Sequence, residues 1–224
     1  MLAAAVAAKN MSQTHTTPSG RAGLANCGPR RLPVYFLLDF SSSPAPGFAA
    51  EAVRQVRNVT SKLELWAAQT PEDFSRAPVF YAVLVFRGAA LQLQPLAPPG
   101  SYLLDDLRLD EIEPQGEPGF GAALAALQNS TEHELKMPGA DNGDYQPLVF
   151  LFTDGLPVEK WQIPPVAKLF LCGIQPAPII IPTRAGPAPD FLPLHCQAQI
   201  LEQIELARRQ LKLRQQMIDY PTSY

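Results

Sequence analysis

Apolar residues recur along this chain in two rhythms. Val34-Tyr35-Phe36-Leu37-Leu38, Val79 to Phe86 and Leu148 to Phe152 are continuous apolar runs, as expected of strands buried on both faces. Between the first two, Ala49, Val53, Val56, Val59, Leu63 and Trp66 recur at helical spacing and predict a crossover helix. Phe120, Ala123, Leu124 and Leu127 predict a second, short helix. Ala89 to Gln94 alternates as an antiparallel edge strand would, joined to the strand before it by Arg87-Gly88. Lys168 to Ile174 reads as a fifth strand and Ile179-Ile180-Ile181 as a short sixth. Strands alternating with helices predict a doubly wound, mostly parallel α/β sheet with helices on both faces, its strand order resembling 3-2-1-4-5-6.

The remainder divides around that core. Residues 1–30 read as an extended tail, 31–193 as the α/β domain, and 194–224 as a C-terminal helix and tail. Pro71 and Pro78 bound a loop, and Pro95 to Gly116 is loop-like and acidic. Asn129 to Gln146 is a polar loop, with Asp141-Asn142-Gly143-Asp144 as a turn. From Pro176 to Pro193 prolines crowd the chain, which points to a remodelled sheet edge. The final helix carries Leu201, Ile204, Leu211 and Ile218 as one stripe, with Ile200, Leu206, Leu213 and Met217 off it and Arg208, Arg209, Lys212 and Arg214 making it basic. Two readings stay open. The helix packs back on its own sheet with its cations solvated, or Leu201, Ile204, Arg208, Leu211 and Ile218 bind a partner in a groove or helical seam.

Composition narrows the function classes. The chain has 224 residues, enough for one well-buried domain with tails. Charged residues make up 17%, below the roughly 25% usual in soluble domains, and there are 24 prolines. A surface partly covered by other protein or by long irregular loops fits that shortage. A net charge of −3 argues against nucleic-acid binding. The three cysteines are widely spaced, which argues against a disulfide framework or zinc site and fits a cytoplasmic chain. No apolar run reaches the span of a bilayer, and Met1 to Ala8 lacks the basic start of a secretory signal.

Candidate chemistry gathers at the strand ends. The first strand stops in Asp39-Phe40-Ser41-Ser42-Ser43 and the fourth in Thr153-Asp154-Gly155. In a doubly wound sheet both lie at the carboxyl end, where ligands bind, and carboxylate with hydroxyl suits a hard cation such as Mg²⁺. A catalytic constellation is missing. Ser42 is in no G-x-S-x-G elbow, His133 and His195 have no placed partner, and no phosphate-binding glycine motif is present. Nothing points to a small-molecule substrate.

These residues carry a resemblance. Residues 30–43 (R-R-L-P-V-Y-F-L-L-D-F-S-S-S), 121–124 (G-A-A-L) and 147–161 (P-L-V-F-L-F-T-D-G-L-P-V-E-K-W) resemble a von Willebrand factor A domain, within it the bacterial TerY-like branch. The resemblance implies that fold and a metal-ion-dependent adhesion site. Asp39, Ser41 and Ser43 would hold Mg²⁺, with Asp154 supporting it through water. A threonine expected before G-A-A-L falls at Pro118, which has no hydroxyl, so the constellation is one ligand short. The reading that follows is a non-catalytic protein–protein interaction or assembly subunit within a larger complex. Its alternative is a Mg²⁺-dependent module capturing a partner carboxylate in a TerY-like stress, tellurite-resistance or conflict system.

Overall fold

Alternate residues of the first strand supply opposite cores. In the computed structural model, which describes residues 30–42, 47–101, 112–117, 119–136, 143–153, 179–184, 192–193 and 197–219, strand β1 (Leu32–Asp39) is buried at every position. Leu32, Val34, Phe36 and Leu38 enter one core, and Tyr35 and Leu37 enter the other. That period of two is why the strand reads as an unbroken apolar run.

β1 sits at the centre of six strands: β2 (Val79–Arg87), β3 (Ala89–Ala97), β4 (Leu148–Phe152), β5 (Ile179–Arg184) and β6 (Leu192–Pro193). Their order is β3-β2-β1-β4-β5-β6. All neighbours are parallel except β2 and β3. The expected mostly parallel doubly wound sheet, the order of its first four strands and its antiparallel strand are present, but the segment expected as the sixth strand is the fifth, and Leu192–Pro193 is the sixth. The strand beside β4 is Ile179–Arg184, however, and not residues 168–174, which lie outside the described residues.

One face is covered by α1 (Phe48–Gln69) and by α4 (Gln197–Asp219), with Phe74 of α2 (Pro71–Arg76) in the same core. The other face is covered by α3 (Phe120–Glu134). Phe36 and Phe150 stack at the centre of the first face, ring centroids 5.7 Å apart. Among the described residues no helix is long and apolar enough to cross a membrane.

Three loop expectations are corrected. Residues 71–76 form a helix, because Pro71 stands in its first turn, where a missing N–H costs nothing. α3 runs on through the polar Asn129–Glu134, which the loop reading had claimed. There, Thr131 and Ser130 turn polar groups back to Gln128 and Gln92. β3 likewise continues past Pro95 to Ala97.

Proline is tolerated in β3 because the ladder is already irregular. Val83 opposes Gln94 while Leu84 opposes Gln92 and Tyr81 opposes Ala97, so β3 carries an extra residue on either side of Gln94. Glu134, at the end of α3, holds this stretch. Its carboxylate accepts from Gln92 Nε2 at 2.6 Å, from the Leu96 N–H at 3.1 Å and from the Tyr35 hydroxyl at 3.5 Å. Burial raises the Glu134 pKa above its ordinary 4.5, outweighing the hydrogen bonds and the nearby Arg31 charge that lower it. A raised folded pKa gives stability that is present below the unfolded value and lost as pH rises through the folded one. Glu134→Gln does not ionise. Its stability relative to the wild type should therefore increase from about pH 4 upward and then level off, as measured by urea unfolding across pH.

Candidate functional site

The strand order reverses between β1 and β4, which opens a crest at their carboxyl ends. Leu38 pairs with Phe152, so Asp39 and Thr153 stand opposite each other one step beyond the ladder. Asp39 is 0% exposed and Ser41 1%. Asp39 Oδ1 accepts from the Ser41 backbone N–H at 2.9 Å and from the Ser41 hydroxyl at 2.6 Å. Its Oδ2 accepts from the Thr153 hydroxyl at 3.0 Å. A buried carboxylate needs such donors, since desolvation without them would favour its neutral form.

The segment 112–117 runs along the crest. Gln115 donates to the Phe40 carbonyl at 2.9 Å, and the Gly116 carbonyl accepts from both the Ser42 N–H and the Ser42 hydroxyl. Gly88, at φ +67°, makes the tight turn between β2 and β3 and donates to the Glu117 carbonyl at 2.7 Å. Gly119 then crosses so close to this turn that a Cβ there would lie 2.8 Å from the Gly88 carbonyl carbon. Gly119→Ala should cost about 2 kcal/mol, because the obstructing atoms are backbone and cannot rotate away. Thermal unfolding of the variant measures it.

Of the four expected metal ligands, Asp39 and Ser41 meet in this network. Ser43 and Asp154 lie outside the described residues, as does Pro118. The hydroxyl facing Asp39 from β4 is Thr153, which sequence reading passed over for its neighbour. Its signal was available: a hydroxyl directly after a buried strand, in register with the acid. In kind, these hard oxygens fit a divalent cation such as Mg²⁺. Among the described residues no three His, Cys, Asp or Glu side chains are grouped for a metal.

The expected partner-binding stripe on α4 faces inward. Ile204 and Leu211 are buried in the core beside α1, with Leu201 packed against it. Arg208 is 2% exposed, not solvated. Its Nε donates to the Ala77 carbonyl at 3.1 Å, and its Nη1 to Glu205 at 2.8 Å. Its Nη2 lies 3.3 Å from both the Asp73 carbonyl and carboxylate, and the guanidinium covers the Phe74 ring. Lys212 binds Asp73 through both carboxylate oxygens at 2.6 and 2.7 Å. These contacts, above all the Lys212 hydrogen bond, hold the Asp73 pKa below its usual value. The stripe is internal packing because Arg208 exchanges water for carbonyls at the end of α2. Ile218 lies on α4 beyond the described side chains.

A second polar cluster holds the opposite end of the sheet. Asp144, expected in a turn, is buried and accepts from Arg31 through both its oxygens, and from the Lys136 N–H at 2.8 Å. Arg30 binds the Gly143 carbonyl at 2.7 Å with its guanidinium over Tyr145.

The fold is a doubly wound, mostly parallel α/β sheet with its crest where the strand order reverses between β1 and β4. Among solved structures, proximal thread matrix protein 1 from the mussel byssus is similar at 15% identity and TM-score 0.50, over 83% of this chain and 46% of that one. An aerotolerance-related membrane protein from Bacteroides fragilis NCTC 9343 is similar at 20% identity and TM-score 0.46, over 69% and 67%. The vWF domain of the type V pili tip protein Mfa5 from Porphyromonas gingivalis aligns at 17% identity and TM-score 0.41, over 62% and 44%. This chain thus spans less than half of the mussel and pilus chains. No protein-family model and no curated protein matches it.

Proposed function

We propose that the chain is a non-catalytic protein-interaction or assembly subunit whose von Willebrand factor A-like crest is held by its own hydrogen bonds. The observation that supports this is the Asp39 carboxylate, buried and accepting from three protein donors on Ser41 and Thr153. Those bonds compensate its charge without requiring a cation. Pro118, in place of a hydroxyl, points the same way. Under this reading the partners are proteins of a larger assembly. The TerY-like motifs favour a bacterial, cytoplasmic stress or conflict system as its setting.

The hard-oxygen set at the junction of β1 and β4 favours one alternative. With Mg²⁺ bound, Asp39, Ser41 and Ser43 would hold it and Asp154 support it, and the cation would offer a coordination position to a partner carboxylate. Capture of partners from native lysate in Mg²⁺ and in EDTA, beside an Asp39→Ala variant verified as folded by circular dichroism, separates the two. Retention of the same partner in all three arms is expected. Release by both EDTA and Asp39→Ala would establish the adhesion-site alternative instead.

A further inference from the structure

The inner stripe of α4 is used by its own domain, but a second stripe runs along the opposite side. Gln199, Glu202, Leu206, Arg209 and Leu213 recur at three- and four-residue steps, and all are exposed. Leu206 is 49% exposed and Leu213 61%, one heptad apart, although the fold already has its apolar face in Ile200, Ile204 and Leu211. The charges flank Leu206 in a fixed order, Glu202 before it and Arg209 after it.

We propose that this outward stripe is a self-association surface, on which α4 of a second copy docks antiparallel about a twofold axis at Leu206. The inference names a partner for the interaction reading and rests on it. At 1.5 Å per residue, Glu202 lies about 6 Å to one side of Leu206 along the helix and Arg209 about 4.5 Å to the other. A twofold axis at Leu206 therefore sets each Glu202 against the second copy's Arg209, twice by symmetry, around a central leucine pair. Leu213, about 10.5 Å out, meets the second copy's Gln199, whose methylenes cover it. Parallel docking would instead oppose Glu202 to Glu202 and Arg209 to Arg209. The charge order thus selects the antiparallel pair. Within each copy Arg209 Nε also donates to Glu205 Oε1 at 3.2 Å, so the docked guanidinium is shared between the two carboxylates. A single helix pair buries less than the roughly 1,600 Å² of a standard stable interface, so the dimer is weak, reversible and salt-sensitive.

Sedimentation of the full chain over a range of concentrations, at low and high salt, tests this. Reversible dimerisation that declines with salt is expected. Arg209→Glu or Glu202→Arg alone should weaken it about tenfold or more, and the double reversal should restore it. Leu206→Ser should weaken it without rescue by salt. All these positions face solvent in the monomer, so circular dichroism should show each variant folded. A chain that stays monomeric, a dimer indifferent to the charge reversals, or singles not rescued by the double variant would overturn the proposal. A monomer that still captures a different protein would overturn it while leaving the interaction reading standing.

Discussion

Arg208→Ala is expected to lower the unfolding free energy by about 3 kcal/mol, more than any exposed cation on α4 could account for. The wild-type side chain is buried at the junction of α4 and α2, donating to Ala77, Asp73 and Glu205. Alanine leaves the Ala77 carbonyl without that donor and opens a space beside Phe74. Asp73 keeps Lys212 and is about half exposed, so its charge is not stranded. That places the loss at the lower end for a broken buried pair. Arg208→Met, which refills the space but donates nothing, should lose less. Urea unfolding of both variants separates packing from hydrogen bonding, and equal losses would show that packing alone matters.

Asp144→Ala should have a similar effect, about 3 kcal/mol, at the other end of the sheet. Its carboxylate receives a paired contact from Arg31, the most directional form of this interaction, and also binds the Lys136 N–H. Removal takes the paired carboxylate from a mostly buried guanidinium and leaves the Lys136 N–H without that acceptor. Among the described residues Arg31 retains the Glu134 carbonyl, at 2.9 Å, and its contact with the Phe80 ring. Asp144→Asn keeps one acceptor and should cost less. The same unfolding measurement ranks the three proteins.

What the sequence revealed depended on whether neighbours could override the local signal. β1, β2 and β4 were legible because strands buried on both faces contain little but apolar residues. Their central order followed from the crossover pattern. Pro71 misled because proline marks both a break and a helix start, and its place in the first turn of α2 is the second of these. Asn129–Glu134 is polar because that turn of α3 bonds to Gln92 and to the margin of β3, which periodicity does not encode. Asp39 and Ser41 were legible from the strand end. Asp144 was not, since a turn and a buried ion pair begin with the same residues. On α4 the sequence shows apolar residues on two sides, and only docking against α1 decides which side faces in.

The irregularity of β3 limits how this protein can meet others. Backbone-to-backbone polymerisation, the route to fibres, needs a margin whose amides are evenly spaced and unclaimed. Around Gln94 the spacing is broken twice, Pro95 has no amide hydrogen, and the Leu96 amide is claimed by Glu134. At the other described margin, β6 has only two residues. Among the described residues, strand-by-strand growth finds no regular template at either margin, which favours association through side chains, whose contacts can be made and released without rebuilding the sheet.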